Sequence, residues 1–279
     1  VFIEGVTVSC TEYPNGNACG AIDMGNKKAT INDCFINSTY SASALKFAQS
    51  ENSIEAVSIT NCIFEDCMGP NSICFNINVS KDAPFTFSSN TVRKMKIGSK
   101  FGYFGIISTS GKAEFTMHNI TFIDNYCDSL YGGGSGLWFT QTSKIIFSEC
   151  KFIRNNAMRN EDDNHFRPIL DSDALYWNGD GGGIQYGYSQ SIFLVDMEFN
   201  NCLFQENHAY RHGGAIALQT LGAVVIQSCI FERNQAAIQS SRSELLGFKN
   251  HFHLKPEGRG GAIYLNPSFD HNDKPDVHK

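Results

Sequence analysis

The chain has 279 residues, 18% of them charged and 12% aromatic, with 22 Phe, 10 Cys and a formal net charge of −6. No stretch is rich in Lys and Arg, which excludes a nucleic-acid footprint, and no apolar run approaches the roughly 18 residues that cross a membrane. The length admits two domains, but an internal repeat favours one elongated unit.

The repeat opens with Val1, Ile3, Val6 and Val8, and returns as Ala29, Ile31, Cys34, Ile36 and as Val57, Ile59, Cys62, Phe64. It continues as Phe85, Phe87, Asn90, Val92, Met95 and as Phe115, Met117, Ile120, Phe122, Asn125. The last three copies are Ile145, Phe147, Cys150, Phe152, Asn155; Met197, Phe199, Cys202, Phe204, Asn207; and Val224, Ile226, Cys229, Phe231, Asn234. Starts at 1, 29, 57, 85, 115, 145, 197 and 224 give steps of 28, 28, 28, 30, 30, 52 and 27. A fixed period of this length is the mark of a solenoid.

Within each copy, apolar residues two apart predict a strand with one buried face. A three-residue step predicts a bend and then a second strand. A third short strand is expected at 20–24, 136–139, 183–186, 215–218 and 262–265. Nothing repeats at helical spacing. The fold predicted is all-β, a right-handed parallel β-helix of about eight coils with two long loops; stacking supplies the shared core that a single coil lacks. Residues 1–265 form that unit, and 266–279 serve as a polar cap or linker. Val1 already holds an inward position, so the chain reads as part of a longer protein.

The Phe column (Phe64, Phe122, Phe152, Phe204, Phe231) and the Cys column (Cys34, Cys62, Cys150, Cys202, Cys229) are expected inside, the latter as free thiols. The Asn column (Asn125, Asn155, Asn207, Asn234) is expected at a turn, with left-handed backbone or side chains bonded between coils. The pairs Gly182-Gly183, Gly213-Gly214 and Gly260-Gly261 are expected at sharp bends. Candidate disulfides are Cys10 with Cys19 and Cys67 with Cys74, each bracketing a turn; Cys127 has no obvious mate. The sequons Asn37-Ser38-Thr39, Asn78-Val79-Ser80 and Asn119-Ile120-Thr121 fall outward by register, compatible with glycosylation of a secreted protein.

Cys202-Leu203-Phe204-Gln205-Glu206-Asn207 with Gly213-Gly214-Ala215-Ile216, and Cys229 to Asn234 with Gly260-Gly261-Ala262-Ile263, resemble the polymorphic membrane protein repeat of chlamydial and protist surface proteins. The resemblance implies a β-helix at a cell surface, used for adhesion. It covers the second half of the chain well and the first half by register only.

Loop length varies at one corner. From the Phe to the Ile column the chain takes 12 residues in the coil at 197 but 32 in the coils at 145 and 224. Insertions at one turn map to one face, often the binding face. The first long loop holds Asp162, Asp163, Arg167, Tyr176 and Trp177; the short one holds His208, Tyr210, Arg211 and His212; the last holds His251 and His253. The acidic loop offers oxygen ligands for Ca²⁺, but its spacing fits no EF-hand, and a solvated loop is the default reading. No cofactor is assigned. No catalytic motif occurs, and the outward columns, such as Arg154, Glu206 and Arg233, are mixed. The expectation is a non-enzymatic extracellular or cell-surface scaffold whose partner is a host or neighbouring surface glycan or protein. Two rivals are a polysaccharide lyase or hydrolase and an architectural segment that self-associates through its coil ends.

Overall fold

The computed structural model describes residues 1–10, 22–23, 28–38, 45–48, 56–66, 68–69, 75–78, 85–98, 104–128, 137–157, 181–186, 195–209, 212–218, 220, 222–236 and 261–265. Every strand pair among them is parallel, and equivalent positions of successive repeats face one another. Ala29 pairs with Val57, Phe122 with Phe152, Phe152 with Phe204, and Phe204 with Phe231. The register survives the 52-residue step, since Lys151 pairs with Leu203.

The second strand of each repeat contributes to one eight-stranded sheet, from Thr7–Cys10 to Ile230–Glu232. The first strands form a sheet that begins at Phe2–Glu4 and ends at Val224–Gln227. The third strands include three with no counterpart in the sequence expectation: Leu45–Ala48, Phe75–Asn78 and the start of Phe104–His118. In Phe104–His118 and Leu137–Ser148 a third strand runs unbroken into the next coil's first strand, which fuses the two sheets. The remaining third strands, Ile184–Tyr186, Ile216–Leu218 and Ile263–Leu265, make a separate sheet. A further six-stranded ladder follows the Asn column, with strands such as Asn156–Ala157, His208–Ala209 and Gln235–Ala236. A strand of two residues is too short to show alternation, so this ladder has no signature of its own in the sequence.

Core packing follows the coil spacing. Rings stack at 5.1 Å between Phe122 and Phe152 and at 4.9 Å from Phe152 to Phe204 and from Phe204 to Phe231, all within 7° of parallel. Strand spacing of about 4.8 Å holds flat rings in this stacked range. A second pile, Phe147 on Phe199 at 5.1 Å, meets the first edge-on.

Both bends are closed by polar ladders. Asn155 Oδ1 accepts from the Asn125 backbone N–H (3.3 Å) and Nδ2 (2.9 Å), while its own Nδ2 donates to the Phe122 carbonyl (3.0 Å) and to Asn207 Oδ1 (3.0 Å). Asn207 repeats the pattern with Phe152 and Asn234. The expected bonding between coils is present, but the left-handed residue is the one before each Asn: Asp124 (φ 56°), Arg154 (50°), Glu206 (53°) and Arg233 (53°). A left-handed residue turns the chain while its N–H still donates to the next coil, as Asp124 does to Ile153 at 3.0 Å.

At the other bend the Cys column does the same work with thiols. Cys150 Sγ donates to the Met117 carbonyl (3.3 Å), Cys202 to Phe147 (3.5 Å) and Cys229 to Phe199 (3.3 Å). Asn90 stands in this column and bonds Ile59 O and Cys62 N at 2.9 Å each. Cys34, Cys62, Cys150 and Cys202 are buried free thiols, Cys127 is buried, and Cys229 is half-buried. Burial pushes the Cys62 thiol up to about 11 and raises that of Cys229. Only the backbone of Cys10 is described, and Cys19, Cys67 and Cys74 lie outside the described residues, as does the 266–279 segment.

Two outcomes are expected. Asn155→Ala strands several buried partners at once and should lower the unfolding free energy by about 2–4 kcal/mol in denaturant titration. At pH 8 a thiol raised to about 11 is ionised about one time in a thousand. Cys62 should therefore resist iodoacetamide in the native chain and label only on unfolding, as read by peptide mass spectrometry.

Candidate functional site

The left-handed position of the second bend points its side chain outward, and its occupants alternate in sign. In coil order they are Asp66, Lys94, Asp124, Arg154, Glu206 and Arg233. Arg154 grips Asp124 in a two-pronged pair (Nε to Oδ1 2.6 Å, Nη2 to Oδ2 2.9 Å). Arg233 reaches Glu206 at 2.8 Å and Glu232 at 3.8 Å. Lys94 turns diagonally to Glu65 (2.8 Å), which Arg93 also holds (2.9 Å). Hydrogen bonds from Lys94 and then Arg93 hold the Glu65 carboxyl below its ordinary range. The bond to Asp124 raises the Arg154 guanidinium, and Glu206 adds to its stabilisation.

Beside this charged column runs a second outward column, on the short ladder that follows each Asn. Its members in coils 6, 7 and 8 are Asn156, His208 and Gln235. Together the columns line an open cavity of about 320 Å³ walled by Arg154, Asn156, Glu206, His208, Arg233 and Gln235. Glycines leave the backbone behind it no slack. A Cβ on Gly182 would lie 2.6 Å from the His208 backbone, and one on Gly214 would lie 2.5 Å from the Gln235 nitrogen. Gly213 (φ 58°) and Gly181 (φ 62°) carry the left-handed turns just before them.

Of the residues singled out from the sequence, His208 lines this cavity. His212 stacks on Tyr264 of coil 8, ring centres 4.5 Å apart. Asn119 is exposed on a left-handed bend, with Nδ2 3.3 Å from Ser89 Oγ. Asn37 is half-buried within Phe35–Ser38, and Asn78 ends the strand Phe75–Asn78. Asp162, Asp163, Arg167, Tyr176, Trp177, Tyr210, Arg211, His251 and His253 lie outside the described residues. Among the described residues no three His, Cys, Asp or Glu side chains converge on a metal position, and no helix is long and apolar enough to cross a membrane. Asn156 and Gln235 escaped the sequence reading; their signal is the position directly after the ladder Asn.

Reversing one sign tests the charged column. Arg154→Glu sets three carboxylates in succession and should cost about 1–2 kcal/mol at low salt, partly recovered at high salt. Arg154→Gly loses the pair but relaxes the left-handed backbone, and should stay within about 0.5 kcal/mol of the parent by thermal denaturation.

A family model described as the right-handed beta helix region matches residues 99–273, more than half of the chain. Searches of curated proteins and of solved structures return no match. The match overturns the likeness to the polymorphic membrane protein repeat, since the matching model is the general β-helix and none specific to that repeat matches. The physical reason is on view in the ladders. Cys, Phe, Asn and close-packed Gly are what stacked coils of this kind use at a bend, a core strand, a second bend and a tight approach, so the motif reports stacking rather than lineage. The coil register, the parallel sheets and this match together establish that the chain belongs to the right-handed β-helix family.

Proposed function

We propose that this chain is a non-catalytic β-helical scaffold, displayed outside the cell, that holds a ligand from a neighbouring surface at the corner of coils 6 to 8. The observation that carries this reading is the cavity between two outward columns, built from rigid strands backed by glycine. Polar groups on strands are held more precisely than on loops. The same corner is where the two long insertions begin, and insertions at one turn favour a binding face.

The rival enzyme reading needs two carboxylates about 5–10 Å apart with one able to deliver a proton. Glu206 and Glu232 both contact Arg233, which suits holding the corner in place. On the surface reading, Asn119 is the sequon best placed to carry a glycan, because it is exposed on a bend.

The test is a panel of surface glycans and matrix proteins offered to the intact chain. Binding should fall at least about tenfold when His208→Ala and Gln235→Ala are combined, with the melting temperature unchanged. Binding that ignores both substitutions sinks the corner assignment. Cleavage of any polysaccharide in the panel sinks the non-catalytic one.

A further inference from the structure

We infer that the stacked thiols of the first bend form a site for a soft, two-coordinate cation of the Cu⁺ and Ag⁺ class, held in line between the sulfurs of neighbouring coils. The site lies inside the core and is independent of the ligand corner proposed above. Cys150, Cys202 and Cys229 share one register on coils 6, 7 and 8, as do Cys34 and Cys62 on coils 2 and 3. The Cys150 carbonyl accepts from the Leu203 amide and the Cys202 carbonyl from the Ile230 amide, at 2.9 Å each, so these cysteines are clasped one coil apart.

Spacing decides what the column can hold. The rings beside it stack at 5.1 Å (Phe147 on Phe199) and 4.9 Å (Phe204 on Phe231), close to a strand spacing of about 4.8 Å. A disulfide draws its Cβ atoms to about 3.8 Å, which would force neighbouring coils together against those rings. Two metal–sulfur bonds of about 2.3 Å in line span about 4.6 Å and fit the step as it stands. A structural zinc needs four ligands, and among the described residues no three His, Cys, Asp or Glu side chains converge. Two sulfurs in line suit a monovalent d10 ion, and thiolate is the ligand that soft ions select.

The backbone prepares the sulfurs for it. The Cys202 N–H donates to Cys229 Sγ at 3.4 Å, and the backbone at Ile120 and Cys150 biases the Cys150 and Cys202 sulfurs in the same sense, toward thiolate. The Cys202 thiol bonds Cys150, which pulls the Cys150 thiol below its ordinary value while Cys202 holds its own proton more tightly. Coordination completes the ionisation: two thiols and one M⁺ give a sulfur–metal–sulfur anion and two released protons, with no change of oxidation state. The Met117, Phe147 and Phe199 carbonyls, which accept from the thiols, oppose a bare thiolate but face a cation favourably. Cys202 is 2% exposed and Cys229 half-buried, so an ion enters the column at Cys229.

The experiment adds silver nitrate, in chloride-free buffer, to the intact chain and to Cys34→Val/Cys202→Val. Val6 and Ile120 hold the same register on coils 1 and 5, so the fold accepts an aliphatic side chain there, and the double variant leaves no two column thiols on adjacent coils. Silver should raise the melting temperature of the intact chain by about 5 °C or more at a hundredfold excess over its dissociation constant. X-ray absorption at one equivalent should show two sulfur neighbours. The double variant should lose the rise and bind at least one silver fewer by native mass spectrometry, and Cys34→Val alone, which spares coils 6 to 8, should already lose one. Zn²⁺ should give no rise. A fall in melting temperature means that silver reaches the thiols only in the unfolded chain and overturns the site. An unchanged silver count in either variant overturns it too. Three or four sulfur neighbours, or a rise with Zn²⁺ that the double variant loses, overturns the two-coordinate assignment.

Discussion

Each coil must turn sharply while keeping its backbone polar groups out of an apolar core, and the buried amides of the second bend meet that constraint. Asn125, Asn155 and Asn207 each bond a carbonyl one coil back and the amide one coil ahead. Neutral side chains in such a chain polarise one another, so the ladder is cooperative along the axis. The Phe piles inherit their alignment from it, because Phe122, Phe152 and Phe204 sit three residues before the ladder Asn and share its coil-to-coil step. The thiol column repeats the solution at the first bend with a weaker donor, and Asn90 shows that amide and thiol can occupy one column.

The inward columns were legible because every copy keeps the same internal spacing, whatever the loops do. The left-handed positions were not. Lys94, Arg154 and Arg233 have no local preference for positive φ; the stack imposes it, and the N–H bond to the next coil holds it. The third strands at Leu45–Ala48 and Phe75–Asn78 were hidden because the spacing before them drifts from coil to coil. His208 was found because it lies between two interruptions of the period. Its neighbours Asn156 and Gln235 were not, since a two-residue strand has no pattern of its own.

The site and the scaffold are therefore one piece of chemistry. The residue that turns the chain, such as Arg154, also walls the cavity, and the residue two further on, such as Asn156, faces the same space. Gly182 and Gly214 press the next strand against the backbone of His208 and Gln235. On the proposed reading, a ligand at this corner would meet a backbone with little freedom to adjust, which reduces the cost of ordering it on binding.

The alternating column has a further consequence. Its sign repeats every second coil, from Asp66 and Lys94 through Asp124 and Arg154 to Glu206 and Arg233. The electrostatic unit of this solenoid is thus two coils, although its structural unit is one. Adding or losing a single coil inside this stretch would set like charges side by side, whereas a pair could be inserted or removed without a mismatch. On this corner a change of one coil carries an electrostatic penalty that a change of two avoids, a distinction written in side-chain charge and invisible in the backbone.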